Sequence, residues 1–316
     1  MTRRHFIAAT SALAASTLAA RSVFAWTRPA ERAFRLCLNP GNIGVAANQQ
    51  TLLDMAIAHG YEAIISMPDQ LAAFSKGEMD ALVGKMKDHA ITWGSGNLPV
   101  DFRTTDAAQQ EGLKALPAMA KALQSAGATR MNTWIMPFHN ELTYTQNWKQ
   151  HVARLRACAE VLEDHGIRLG LEYVGPKTLL VRGRYPFMRT MAEGLELCDA
   201  IGTPNMGLVL DSFHWYTAGD SADDLRALTP AQVVTVDLND ARVDLSRDEQ
   251  LDGTRELPGA TGKINLKAFL TALVDIGYAG PVRAEPFNQP LRDMDDEDAL
   301  RATHEAMTRA FKLIEA

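Results

Sequence analysis

Apolar and polar positions follow two alternating patterns along this chain. Short apolar runs fit buried strands, and longer runs with apolar positions three and four residues apart fit helices packed on a sheet. Several helix patterns end at a Gly, as in His59-Gly60-Tyr61, and Gly is favoured just past a helix end. The predicted strands are Phe34–Leu38, Ala63–Ser66, Ile91–Gly94, Arg130–Ile135, Arg168–Tyr173, Met206–Leu210, Val233–Leu238 and Val282–Glu285. The predicted helices are Gln49–His59, Glu78–His89, Thr105–Ala126, Thr143–His165, Pro186–Ile201, Ala222–Ala227, Leu266–Ile276 and Asp298–Glu315.

Eight strands that alternate with eight helices predict an α/β fold, a (β/α)8 TIM barrel in one domain. The range 26–316 has the length that such a barrel needs. An open, doubly wound sheet is the rival fold, but the even spacing of the units favours closure. The segment 241–263 is longer than most loops of compact domains, and this length predicts a functional role for it.

The first 25 residues differ from the rest of the chain. They have a charged start, an apolar stretch and a small-x-small end at Val23-Phe24-Ala25, which predicts a cleaved secretory signal over 1–25. The pair Arg3-Arg4 resembles a twin-arginine export signal. An ordinary secretory signal that happens to carry two arginines is the alternative. We therefore expect a periplasmic protein that is not attached to the membrane once the signal is removed.

Composition and charge exclude several classes of protein. The chain has 32 Lys and Arg against 38 Asp and Glu, a net charge of -6, and removal of 1–25 takes away three Arg and no acid. A nucleic-acid-binding protein usually shows a basic stripe, which this sequence lacks. Three Cys are too few for a disulfide scaffold and fit small buried thiols better. We expect no nucleic-acid partner.

Four successive predicted strands end on or beside a carboxylate: Glu172, Asp211, Asp237 and Glu285. The active residues of a barrel lie at the carboxyl ends of its strands, so these side chains should meet at one mouth. Carboxylates that are close together raise one another's pKa unless a cation compensates them. Oxygen ligands suit Mg²⁺ or Mn²⁺, and a nearby histidine leaves Co²⁺ or Zn²⁺ open. We predict one divalent metal ion, held by these four residues.

Residues around the acids resemble a known family. Glu172, the stretch Gly207-Leu-Val-Leu-Asp-Ser-Phe-His214 and the stretch Arg283-Ala-Glu-Pro-Phe287 are similar to the xylose isomerase-like TIM-barrel family, which includes tagatose and psicose 3-epimerases and hydroxypyruvate isomerases. The resemblance implies Glu172, Asp211 and Glu285 as metal ligands. At the fourth ligand position the family usually has His, where this chain has Asp237.

The resemblance also implies substrate contacts. His214 matches the family's histidine beside the metal, and Arg255 begins Arg255-Glu-Leu-Pro-Gly259, which is similar to a family loop. Lys177, Trp134 and His139 lie near the ends of predicted strands, so we expect them to contact the substrate, with Trp134 as an apolar wall. The alternatives are solvated surface positions for Arg255, Lys177 and His139 and core packing for Trp134.

The family's chemistry is proton transfer next to a carbonyl through a metal-stabilised enediolate. It implies a sugar isomerase or epimerase in which Glu172 and Glu285 are the acid/base pair. Export favours a free keto-sugar or sugar derivative over a sugar phosphate. The same first half-reaction would serve a periplasmic keto-glycoside lyase that works by β-elimination, and a sugar-binding barrel without catalysis is a second alternative. A homodimer is expected on base rate alone.

Overall fold

The computed structural model describes residues 32–315, so the signal predicted over 1–25 lies outside the described residues. No helix in this range is long and apolar enough to cross a membrane. The strands are β1 (Arg35–Leu38), β2 (Ala63–Ile64), β3 (Thr92–Trp93), β4 (Gly96–Asn97), β5 (Arg130–Ile135), β6 (Phe138–His139), β7 (Arg168–Tyr173), β8 (Tyr185–Pro186), β9 (Met206–Asp211), β10 (Val233–Leu238) and β11 (Pro281–Ala284).

Nine of these strands form one parallel sheet that closes on itself. Their order is β3-β2-β1-β11-β10-β9-β7-β5-β4. The two ends of that order, β3 and β4, are consecutive in the chain and are separated by Gly94-Ser95, so they act as two halves of one barrel strand. A Cβ at Gly94 would lie 2.5 Å from the Cys37 Sγ, which explains the Gly at this break. The predicted single-domain (β/α)8 TIM barrel is confirmed.

Helices follow the strands, and all eight predicted helices are present, the first with its predicted ends and the others with shifted ends. The helices are α1 (Gln49–His59), α2 (Pro68–Ala73), α3 (Lys76–Asp88), α4 (Asp106–Ala126), α5 (Tyr144–Glu163), α6 (Lys177–Leu180), α7 (Met191–Ile201), α8 (Ser212–Ala218), α9 (Ala222–Arg226), α10 (Leu266–Asp275), α11 (Gln289–Arg292) and α12 (Asp296–Phe311). Short 3-10 helices cover Pro40–Ile43, Pro230–Gln232, Arg247–Glu249 and Lys312–Ile314. The sequence pattern missed α2, α6, α8 and α11 because each has too few turns to show a helical period.

One predicted helix begins later than its pattern indicated. The prediction over Pro186–Ile201 is wrong at its start, because β8 pairs with β6 in an antiparallel ribbon. The helix α7 begins only after Thr190, which forms a capping box with Glu193. Such a box satisfies two backbone N–H groups that the first turn of a helix leaves without partners. The ribbon therefore belongs to the loops above the barrel rather than to its helical layer.

The register of the strands brings the predicted acids to one rim. Asp211 on β9 lies opposite Asp237 on β10, and Asp237 lies opposite Arg283 on β11. Trp134 on β5 lies opposite Glu172 on β7. Strands β9 and β10 are buried along their whole length, as parallel strands covered on both faces should be. The three Cys are buried and free, as the sequence predicted.

Candidate active site

The four predicted carboxylates converge at the carboxyl ends of β7, β9, β10 and β11. Each of Glu172, Asp211, Asp237 and Glu285 offers an oxygen that lies within 4.8 Å of the others. Asp211 and Asp237 are fully buried, and Glu172 is nearly so. A second group of three, Glu172, Asp211 and His214, meets the same distance limit. The barrel thus gathers acids that are far apart in the sequence.

Arg255 reaches into this cluster from the long loop between β10 and α10. Its Nη1 donates to Asp211 Oδ2 at 2.8 Å and to Glu285 Oε2 at 3.0 Å, and its Nη2 donates to Asp252 Oδ1 at 2.9 Å. The guanidinium carbon also lies 4.4 Å from the ring centroid of Phe287. Because the side chain is buried and contacts three carboxylates, Arg255 is part of the site rather than a solvated surface residue.

The loop that carries Arg255 is tied down by Asp240. One oxygen of this buried carboxylate accepts the backbone N–H groups of Ala241 and Ile264, and the other accepts those of Thr261 and Gly262. Four charge-assisted hydrogen bonds of this kind fix both ends of a loop that has little regular structure of its own. The segment 241–263, for which a functional role was predicted, is therefore a loop that is anchored at its base and places Arg255 in the cluster.

Asp237 forms a buried ion pair with Arg283. The carboxylate accepts from Nε at 2.5 Å and from Nη2 at 3.0 Å. Arg283 also places Nη1 at 3.4 Å from the Asn132 Oδ1. Sequence reasoning did not select Arg283, although a charged residue in the apolar run of β11 was a usable signal. Both oxygens of Asp237 are thus engaged at the position where the family usually has His.

Asn239 was also missed by sequence reasoning. Its buried side chain donates from Nδ2 to Asp211 Oδ2 at 2.8 Å and accepts the backbone N–H of Glu285 at Oδ1, at 3.1 Å. One amide therefore holds the ends of β9 and β11 at a fixed separation. The signal was available, because Asn239 follows Asp237 by two residues and so points to the same face of the strand.

Burial and mutual repulsion raise the pKa of both glutamates of the cluster. Burial, with Asp237 as the largest neighbouring charge that acts in the same direction, raises the pKa of Glu285 to about 8. Burial and the charges of Glu285 and Asp211 raise the pKa of Glu172 well above its ordinary value. The Oε1 atom of Glu172 is buried without a hydrogen-bond partner among the described residues. These carboxyl groups are therefore poised to exchange protons or to bind a cation.

His214 is a buried, neutral imidazole beside the acids. Burial lowers the pKa of His214 to about 4, despite the nearby Asp211. Its Nδ1 lies 3.3 Å from the backbone N–H of Gly175, and its Nε2 lies 3.2 Å from the Nη2 of Arg255. The same Nε2 lies 3.6 Å from the unpartnered Oε1 of Glu172. His214 is therefore placed to contact either Glu172 or a ligand next to it.

The other residues predicted to contact the substrate lie in different places. Trp134 lines the cavity over the cluster and is 42% exposed, so it is not a core residue. Lys177 pairs with Asp248 at 2.8 Å on the surface, and both side chains are more than half exposed. The Nδ1 of His139 accepts the backbone N–H groups of Glu141 and Leu142. Neither Lys177 nor His139 is among the residues that line the cavity.

Two cavities open at this mouth. The first has a volume of about 540 Å³ and is lined by residues that include Glu172, His214 and Glu285. The second has a volume of about 870 Å³, lies over the long loop and α11, and shares Asp252, Arg255 and Phe287 with the first. Both volumes fall within the ~300–1,000 Å³ that is typical of small-molecule sites. The groups capable of acid/base chemistry line the first cavity, and the second adjoins it at the three shared residues.

The donor set fits a divalent cation. Four carboxylates meet two guanidinium groups, those of Arg255 and Arg283, so ionisation of all four acids would leave negative charge in excess within the described part of the cluster. The buried Oε1 of Glu172 has no partner there, and buried polar atoms normally have one. Oxygen donors at this spacing are the ligands that hard divalent ions prefer. The cluster is therefore a candidate divalent metal site.

The model of the xylose isomerase-like TIM barrel matches residues 53–310. The chain belongs to the xylose isomerase-like TIM-barrel family, as its resemblance implied.

Individual relatives indicate which enzymes of this family the chain resembles. Inosose isomerase of Bacillus velezensis is 24% identical over 288 residues, which are 89% of this chain and 100% of the relative. D-psicose 3-epimerase of Agrobacterium fabrum is 24% identical over 72% of this chain and 75% of its own length. The structure of a xylose isomerase domain protein from Alicyclobacillus acidocaldarius subsp. acidocaldarius is 32% identical with a TM-score of 0.78, over 90% of this chain and 100% of that one. The predicted enzyme class, sugar isomerases and epimerases, agrees with the names of the first two.

A metal is present in one protein of this fold. The crystal structure of an IOLI protein with a bound zinc atom has a TM-score of 0.72 and 23% identity over 88% of this chain and 98% of that one. At this identity the likeness concerns the fold. In this chain, the cluster of acids and His214 is the feature that indicates a divalent metal site.

Proposed function

We propose that this protein is a metal-dependent sugar isomerase or epimerase that moves a proton next to a carbonyl group of a free keto-sugar or sugar derivative. The observation that carries the proposal is the meeting of four carboxylates beside a cavity of about 540 Å³. Relatives named isomerase and epimerase support the same class. On the pattern of its first 25 residues, we also propose that the protein is exported to the periplasm by the twin-arginine route.

Glu172 and Glu285 are the proposed acid/base pair. They come from β7 and the end of β11, which are separated in the sheet by β9 and β10, so their carboxyl groups approach a ligand from different sides. In the metal-free protein the pKa of each carboxyl group is raised, so the surrounding residues do not hold either group permanently ionised. Glu285 is oriented by Arg255 at 3.0 Å and by Asn42 Nδ2 at 3.3 Å. His214 and the cavity asparagines would bind hydroxyl groups.

Glu172, Asp211 and Glu285 are the proposed metal ligands. A divalent metal held by these residues would supply Lewis-acid polarisation of the substrate's oxygens, which makes a C–H bond next to the carbonyl more acidic. Asp237 offers a fourth oxygen to the cluster, but its bidentate pair with Arg283 already compensates its charge. Three carboxylates make a hard oxygen site, which favours Mn²⁺ or Mg²⁺ over Co²⁺ or Zn²⁺.

Metal content tests this assignment. We expect about one divalent ion per chain in the purified protein, measured by elemental mass spectrometry, and its loss in the Glu172→Gln/Asp211→Asn double variant. The Glu163→Gln/Asp164→Asn double variant is the matched control, because these two acids are exposed near the end of α5. A wild-type protein that binds none of Mn²⁺, Mg²⁺, Co²⁺ or Zn²⁺ after incubation would favour the sugar-binding barrel instead.

Proton release on metal binding gives a second readout. With a pKa of about 8, Glu285 is largely protonated at pH 7 in the metal-free protein. Because a metal ligand must be ionised, binding at pH 7 should release protons, and binding at pH 9 should release fewer. Calorimetry in two buffers of different ionisation enthalpy measures this number directly.

A keto-glycoside lyase is the second candidate, and the second cavity favours it. In that reaction the C–H bond next to the ketone breaks, its electron pair forms a C=C bond, and the C–O bond to the aglycone breaks as the leaving oxygen takes a proton. A monosaccharide does not need a further 870 Å³ beside the first cavity, whereas an aglycone does.

Filling the second cavity tests this candidate. Gly253 lines it, and a Cβ added there would meet nothing within 4 Å, so Gly253→Trp should add bulk without strain. We expect kcat/KM for a nitrophenyl 3-keto-glucoside to fall at least tenfold more than kcat/KM for free 3-keto-glucose. Gly84→Trp, which also has open space around it but lies in α3, is the control. An equal effect on the two substrates would reject a role for this cavity in binding the aglycone.

A further inference from the structure

One arginine of the cavity has no acidic partner. Three arginines line the first cavity, namely Arg103, Arg255 and Arg283. Arg255 and Arg283 each donate to carboxylates of the cluster. Arg103 donates from Nη2 to the hydroxyl of Thr133 at 2.7 Å and to the backbone carbonyl of Trp134, both of which are neutral. Its other nitrogens have no acceptor among the residues described, and Nε is buried.

The Arg103 side chain is held firmly although it lacks an ion pair. Its guanidinium carbon lies 4.1 Å from the ring centroid of Trp134 and 4.3 Å from that of Phe102. Contacts of this kind stabilise a cation and fix its plane. Burial lowers the pKa of Arg103 to about 10, so the group is still charged at neutral pH. The carboxylates of Asp101 and Glu172 raise the pKa of Arg103 but do not pair with it, and a partly desolvated cation in direct contact with neutral acceptors alone is costly to the protein.

The position of Arg103 points to a ligand of the active site. It shares the cavity with Glu172, and the ring that it packs on belongs to Trp134, the strand partner of Glu172. An anion that pairs with Arg103 would have to come from outside the cluster, because no ion pair within 4.0 Å joins Arg103 to any described acid. An anionic group on the substrate would lie against Arg103 while the carbon that reacts lies beside the four acids.

We propose that Arg103 binds a carboxylate group of the substrate, so that the site acts on a keto-sugar acid. Arginine is the side chain best suited to carboxylate recognition. Among the described residues that line the cavity, Arg103 is the one cation without an ion pair, so a single carboxylate is favoured over a phosphate dianion, whose second charge would be unpaired near four carboxylates. This assignment of the substrate class rests on the proposed function.

Binding of a matched pair of sugars tests the proposal. D-fructuronate and D-fructose differ in having a carboxylate or a hydroxymethyl group at C6. By calorimetry on the metal-loaded protein, we expect D-fructuronate to bind at least tenfold more tightly than D-fructose. Arg103→Met should abolish this preference, and Arg103→Lys, which keeps the charge, should retain part of it. Arg184→Met is the control, because Arg184 also packs on an aromatic ring, that of Tyr185 at 5.0 Å, but is exposed and outside the cavity lining.

Each outcome decides the question. A preference that survives in a folded Arg103→Met variant, or is missing in the wild type, overturns the proposal, as does a failure of both sugars to bind. Turnover of D-fructose without any preference for D-fructuronate would keep the proposed function and reject the subsite. Tight binding of D-fructuronate that depends on Arg103, with no turnover of either sugar, would keep the subsite and count against the proposed function.

Discussion

Replacing Glu172 or Glu285 by Gln is expected to lower kcat/KM on the true substrate by about 10²–10⁴-fold, because each change removes one of the two groups that carry the proton. Glutamine has nearly the shape of a protonated glutamic acid but can neither accept nor release that proton. Stability should not fall, since each change also removes a buried carboxyl group whose pKa is raised by burial and by its neighbours. Thermal unfolding of both variants checks this point.

Solvent exchange separates the acid/base role from the metal-ligand role. In an epimerase with two bases, each variant should still exchange the reacting hydrogen of one epimer with deuterium from D2O, and the two variants should differ in which epimer exchanges. Loss of exchange for both epimers, together with loss of the ion, would assign that residue to metal binding alone. Glu163→Gln, exposed near the end of α5, should behave as the wild type. A variant that keeps near-normal turnover would remove its residue from the mechanism.

The largest effect on stability is expected from Arg283→Met. This change leaves Asp237 fully buried and without its partner, and breaking a buried pair in this way typically costs about 3–5 kcal/mol. The double variant Asp237→Leu/Arg283→Met should recover much of the loss, because an apolar pair needs no compensation. The free energy of unfolding from urea titrations measures both. Arg226→Met, which breaks exposed pairs with Asp223 and Asp275, should have little effect on the free energy of unfolding.

The loss caused by Arg283→Met should depend on pH. Burial already raises the pKa of Asp237, and Arg283 is the main group that lowers it, so the variant raises that pKa further. When the pKa of a carboxyl group is higher in the folded than in the unfolded protein, the free energy of unfolding falls as pH rises above the unfolded pKa. The variant should therefore be closest to the wild type near pH 4 and furthest from it near pH 8. A loss that does not change over this range would mean that Asp237 is not the group left uncompensated.

The sequence by itself determined the barrel and the place of its acids. Strand and helix periods are local, so eight units and a closed sheet could be inferred without any knowledge of contacts. Glu172, Asp211, Asp237 and Glu285 were found because each lies at the carboxyl end of a predicted strand, and parallel strands in a barrel place those ends at one mouth. The position of each acid along its strand was sufficient to identify these four residues.

Only the tertiary structure decided which other residues join them. Lys177 and His139 lie near strand ends, as the acids do, but their loops direct them elsewhere. Lys177 pairs with Asp248, and His139 accepts a backbone N–H group of the turn that follows it. Arg103 was missed because it lies in a loop, and its hydroxyl acceptor is Thr133, 30 residues away.

The same holds for Arg283, whose ion-pair partner Asp237 is 46 residues away along the chain. Pairing of buried charges and stacking on aromatic rings are set by distances between segments that are remote in the sequence, and these distances exist only once the chain has folded.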